Sequence, residues 1–177
     1  MISSNAQDSF DRIFRKAART RLALHAEDAC HIAAAEPGDA KGGEQALILT
    51  ISSMVFRLLL VLRFDDTEST RAYFKGEASG RSFEEACLEI GNLCCGAVNQ
   101  ELLQVFPDLG MSTPYAVSAR CVPYLEVLKP GYLAAYAVTI NDAVRVAATV
   151  CVCAHAPLDF VADVSDEVET GGELELF

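Results

Sequence analysis

An acid and a carboxamide three residues apart, Glu89 and Asn92, are the pair in this sequence best suited to chemistry on a bound partner. A carboxylate can pair with a cation. A carboxamide donates and accepts hydrogen bonds without carrying charge, so it can orient a water molecule. On a helix, side chains at i and i+3 are neighbours and point the same way. At about 100° per residue, Glu85, Glu89, Asn92, Gly96 and Asn99 share a stripe about 80° wide. A glycine inside a helix costs about 1 kcal/mol relative to alanine, but it lets another surface approach closely. An acid, an amide and a gap on one ridge suggest a docking or reaction face. The alternative is a solvated helix face with one tolerated glycine.

A second cluster is weaker. Cys151, Cys153 and His155 alternate on an expected strand and would face one way. Zinc sites need a second ligand pair at finger-like spacing, and this sequence offers none, so no metal is expected there. His25 and His31 have no partner at metal or catalytic spacing.

The polar stripe needs a helix to carry it. Ser82 followed by Glu85 is a capping-box start, and no proline intervenes before Pro107, so a helix is expected over 82–105. Phe83, Cys87, Ile90, Cys94, Ala97 and Val98 give it an apolar side for a core. Upstream, a helix is expected over 9–24, capped by Ser9, with an apolar stripe from Phe10 to Leu22. Five of the fourteen basic residues fall between Arg12 and Arg21, either as a docking patch for an acidic partner or as a solvated face. Residues 22–35 are weakly patterned and extended, and 36–44 form a turn. Strands are expected at 45–52 and 55–64. The second is almost continuously apolar, which places it centrally in a sheet. A short helix from Asp65 to about Phe74 and a glycine-containing link lead into 82–105. Strands at 115–122, 132–140 and 143–154 follow, the last two joined by an Asn141-Asp142 hairpin turn. No internal repeat is visible.

Composition bounds the partners. The chain has 177 residues, 51% of them apolar, and a formal net charge of −11. That is enough apolar sequence for one domain with a sizeable core. The acidic balance argues against nucleic acid or an anionic membrane as partner. The N-terminal sequence is polar, and the longest apolar run, 46–64, is interrupted by Arg57 and Arg63, so neither a secretory signal nor a membrane span is expected. Seven cysteines without a disulfide-scaffold spacing fit a cytoplasmic protein. The expected organisation is one domain over 1–156 and an acidic, partly disordered tail over 157–177. Seven acidic and no basic residues lie between Asp159 and Phe177. The chain also lacks a phosphate-binding GxxxxGK[ST] loop, a GxGxxG motif and a GxSxG elbow.

The Glu89-x-x-Asn92 pair followed by Gly96 and Asn99 resembles the motif helix of the CheC/CheX/FliY family of chemotaxis phosphatases, and Pro114 lies 22 residues beyond Asn92, as the family pattern has it. The first motif position departs: Glu85 stands where the family has Asp or Ser. The motif occurs once here, as in CheX, whereas CheC and FliY carry two. The resemblance covers roughly residues 9–155, and the element order agrees with it. It implies an α+β, CheC-like fold, with a largely antiparallel sheet and helices packed against it. It implies a phosphorylated CheY-like receiver domain as partner, and hydrolysis of the receiver's aspartyl phosphate as the reaction. Asn92 would position the water and Glu89 would pair with the receiver's lysine. Gly96 would permit close approach, with Glu85 and Asn99 bordering the contact. The chain would need no cofactor of its own, because the receiver supplies magnesium. Single-motif proteins of this family also imply a homodimer. The alternative is a non-catalytic receiver-binding module, like relatives of the family that serve in the flagellar switch.

Overall fold

The computed structural model describes residues 1–37, 42–76 and 80–164. Parts of the expected turn at 36–44 and link at 75–81, and the acidic tail from residue 165 onward, lie outside the described residues. The chain runs α1 (Ser4–Arg21), β1 (Cys30–Ala35), β2 (Gln45–Ser52), β3 (Phe56–Phe64), α2 (Glu68–Lys75), α3 (Phe83–Leu103), β4 (Gly110–Met111), β5 (Tyr115–Ser118), a 3-10 helix (Ala119–Leu128), β6 (Tyr132–Ile140) and β7 (Val144–Ala154). The seven strands form one sheet in the order β1-β6-β7-β3-β2-β4, with β5 also paired to β2. Every pairing in it is antiparallel. The α+β class expected from the sequence is the class observed.

The sheet has two covered faces. Leu47, Leu49 and Ile51 of β2, Leu58, Leu60 and Leu62 of β3, and Val146, Val150 and Val152 of β7 turn inward. There they join Phe10, Ile13 and Phe14 of α1 and Cys94, Val98 and Leu102 of α3 in the main core. On the other face, Ala46, Ile48, Val61 and Cys151 pack beneath Val122 and Leu125 of the 3-10 helix. Strand β3 lies between β2 and β7 and is covered on both sides, which explains its nearly unbroken apolar sequence. Between β6 and β7, Asn141 and Asp142 both take positive φ, the backbone of a tight hairpin that Asn and Asp tolerate.

Two sequence expectations are corrected. Helix α1 begins at Ser4, not Ser9, because the Ser3 hydroxyl caps it by accepting from the Ala6 N–H at 3.2 Å. Ser9 is buried inside the helix. Its hydroxyl donates to the Asn5 carbonyl at 2.7 Å and accepts from the Ala162 N–H at 3.0 Å. Second, the strand expected over 115–122 stops at Ser118. The Ser118 hydroxyl caps the 3-10 helix, which folds Val122 and Leu125 back onto the sheet. The stretch between α3 and β5 contains the short strand β4. Beyond β7, Leu158, Phe160 and Ala162 are buried in the core, and Leu158 bridges to Ile2.

The basic face of α1 is partly consumed internally. Arg15 pairs with Asp11 at 2.8 Å and donates to the Ile32 carbonyl, and Lys16 pairs with Glu101 of α3 at 2.8 Å. The last contact fixes α1 beside the motif helix. Among the described residues, no helix is long and apolar enough to cross a membrane.

The loop between α1 and β1 is tied down by one carboxylate. Asp28 accepts from the Tyr73 hydroxyl, from Asn141 Nδ2 at 2.6 Å and from the His25 N–H at 2.9 Å. Tyr73 Oη in turn accepts from the Leu24 N–H at 2.6 Å. The Tyr73 hydrogen bond is the main cause that lowers the Asp28 pKa below the ordinary carboxylate value. A depressed carboxylate contributes stability above its unfolded pKa and loses it as pH falls through the folded value. Tyr73→Phe should therefore destabilise the protein by about 1 kcal/mol at neutral pH. The deficit should shrink on acidification, as followed by urea unfolding at a series of pH values.

Candidate functional site

Helix α3 starts where its local sequence dictates. The Ser82 hydroxyl accepts from the Glu85 N–H at 3.1 Å, and the Glu85 carboxylate accepts from the Ser82 N–H at 2.7 Å. The two hydrogen bonds satisfy backbone donors that a helix start otherwise leaves open. The bond from the Ser82 backbone is the chief cause that lowers the Glu85 pKa. Glu85 therefore stays ionised at neutral pH, and the cap weakens as pH falls below the ordinary carboxylate range. Glu85 is exposed, but its carboxylate already has this structural role.

The inner face of α3 buries Ala86, Cys87, Ile90, Gly91, Cys94, Cys95, Val98 and Leu102, while Phe83 and Ala97 are half-buried. Gly91 sits over the sheet, where a Cβ would touch Leu47, Leu49 and Leu62 at 3.5–3.7 Å. Burial pushes the thiols of Cys87 and Cys95 up to about 12, so they stay protonated and serve as packing residues.

The outer face presents Glu89 and Asn92, both exposed and one helical turn apart. The Asn92 amide makes no hydrogen bond among the described residues, so both its donor and its acceptor are available. Leu93, 44% exposed, stands next to it. At Gly96 an added Cβ would meet nothing within 4 Å. The fold itself thus does not require glycine there, and the open space faces outward. Asn99 departs from the expected open stripe. It is half-buried, and its Oδ1 is enclosed without a hydrogen bond among the described residues. Its helical neighbours Cys95 and Leu102 are fully buried, so Asn99 stands on the border of the core.

Glu89 is not free. Its Oε2 is ion-paired with Nη1 of Arg81, in the link before α3. Sequence reasoning missed Arg81, since no spacing rule joins residues eight apart across a helix start. Leu93 was also missed, although the same helical turn angle places it beside the ridge. Pro114 is half-buried in the stretch between β4 and β5.

The cysteine-rich strand is part of the structure rather than of the ridge. Cys151 is buried beneath the 3-10 helix, with its thiol raised to about 12 mainly by burial, and Cys153 is half-buried beside it. Strand β7 ends at Ala154, so His155 lies beyond it and is exposed. Among the described residues, no three His, Cys, Asp or Glu side chains are grouped to hold a metal.

The architecture is that of CheX- and CheC-like chemotaxis proteins. It is similar to CheX from Vibrio vulnificus, with 18% identity, a TM-score of 0.57, and coverage of 84% of this chain and 99% of that one. CheX from Desulfovibrio desulfuricans aligns at 12% identity with a TM-score of 0.56, over 81% of this chain and 98% of that one. CheX in a complex with CheY, beryllofluoride and magnesium from Borrelia burgdorferi aligns at 12% identity with a TM-score of 0.53, over 82% and 96%. At these identities the shared property is the fold. No protein-family model matches the sequence, and no curated protein sequence matches it.

Proposed function

We propose that this protein accelerates hydrolysis of the aspartyl phosphate of a CheY-like receiver domain. The observation that carries the proposal is the outer ridge of α3: an acid and an unengaged carboxamide one turn apart, beside a gap that nothing in the fold fills. The likeness to a CheX fold seen bound to CheY, beryllofluoride and magnesium supports the same reading.

An aspartyl phosphate is a mixed anhydride, and its hydrolysis needs little covalent chemistry from a catalyst. It needs a water held in line with the phosphorus and charge stabilisation around the phosphoryl oxygens. In this reading the receiver brings magnesium and a lysine, and the chain has no cofactor of its own. Asn92 supplies what is missing. Its amide can accept a hydrogen bond from the water and donate one to the water or to a phosphoryl oxygen. Being neutral, it does not repel the phosphoryl group. Glu89 pairs with the receiver's lysine and sets the register of the helix on the receiver. The open surface at Gly96 lets the receiver backbone approach, with Leu93 as an apolar contact. Glu85 contributes by fixing the helix start, and Asn99 by its place at the border of the contact. A homodimer, as the resemblance implies, would display two such ridges. The test is phosphate release from a panel of phosphorylated CheY-type receivers with and without this protein. Binding without acceleration would instead assign it as a receiver-binding module.

Gly96 gives a separable prediction. Gly96→Ala should raise the stability of the free protein by about 1 kcal/mol, since alanine is the better helix former and the site is open. The same methyl should weaken receiver binding several-fold by holding the surfaces apart. Urea unfolding and receiver binding should therefore move in opposite directions.

A further inference from the structure

Arg81 stands immediately before the Ser82 cap, and its side chain runs along the first two turns of α3 to reach Glu89. The contact joins Nη1 of Arg81 to Oε2 of Glu89. Both side chains remain about half accessible, at 44% and 53%. The neighbouring cation Arg71 is engaged elsewhere: it pairs with Asp66 and lies over the ring of Phe83 at 5.1 Å. Glu85 is occupied by the Ser82 cap. In the free protein, Arg81 is thus the cation that matches the charge of Glu89.

We propose that Arg81 is an internal stand-in for the partner's lysine, and that docking proceeds by exchanging its guanidinium for the receiver's ammonium at Glu89. This inference rests on the receiver-directed function above. An exposed ion pair contributes about 0–1 kcal/mol, so it is weak enough to exchange. The half-exposed carboxylate lets the incoming ammonium engage before the guanidinium leaves. The exchange also confers selectivity. A surface without a cation at this point gains nothing from Glu89 and meets the positive charge of Arg81 instead.

The experiment measures Kd for CheY-type receiver domains carrying beryllofluoride and magnesium. It uses the wild-type protein, Arg81→Gln, Glu89→Gln and the double variant. Arg81→Gln should bind about two- to five-fold more tightly, the range that removal of a competing exposed ion pair spans. Glu89→Gln should bind more weakly, and in that background most of the gain from Arg81→Gln should vanish. A general effect of losing Arg81 on the fold would persist in both backgrounds. If Glu89→Gln weakens binding but Arg81→Gln leaves it unchanged or weaker, the exchange is overturned and the receiver-directed function stands. If wild-type protein binds no receiver, both are overturned.

Discussion

Asn92→Ala should reduce kcat for dephosphorylation of the receiver by on the order of 10² or more, with the loss persisting at saturating receiver. Asn92 is exposed, opposite the face of α3 that packs on the sheet, and its amide makes no hydrogen bond among the described residues. Alanine is a better helix former, so stability should not fall. What is lost, on the proposed mechanism, is the uncharged group that would hold the water. Loss of an interaction made only in the transition state lowers kcat, whereas loss of uniform binding lowers affinity and leaves kcat alone. Single-turnover dephosphorylation across a range of concentrations separates the two. A full maximal rate in the variant would remove Asn92 from the mechanism and favour a purely binding role for the ridge.

The ridge was legible in the sequence because its determinants are local. Ser82 and Glu85 fix the start of α3 by hydrogen bonds within one turn, and a helical turn angle then places Glu89, Asn92 and Gly96 together. Strand β3 was legible because burial on both faces leaves an unbroken apolar run. Most of the illegible features depend on distant chain. Ser9 has the composition of a cap, yet it is buried because residues 160–162 return to bond it. The segment after Ser118 has strand-like alternation, yet it becomes a 3-10 helix that covers the outer face of the sheet. Asn99 falls in the polar stripe by angle, but the adjoining surface of the helix is buried at Cys95 and Leu102. The engagement of Glu89 by Arg81 depends on the direction a long side chain takes along the helix, which sequence spacing does not encode.

Glu89→Ala should fail differently from Asn92→Ala, mainly through KM. In the free protein Glu89 makes only the exposed pair with Arg81, whose loss costs at most about 1 kcal/mol of stability. Alanine's better helix propensity offsets part of that, so the unfolding curve should barely move. In the proposed complex the same carboxylate would become enclosed against the receiver's lysine. Removing one partner of an enclosed charge pair costs about 2–5 kcal/mol, largely because the other charge is left buried and unmatched. That corresponds to a rise in KM of roughly 30-fold or more. At saturating receiver Asn92 is still present, so kcat should fall much less than KM rises, with any loss arising from imperfect placement of the helix. Steady-state dephosphorylation with a titrated receiver, beside direct binding to the beryllofluoride-loaded receiver, measures both quantities. An unchanged KM together with a collapsed kcat would mean that Glu89 acts on the reacting groups themselves and not on docking.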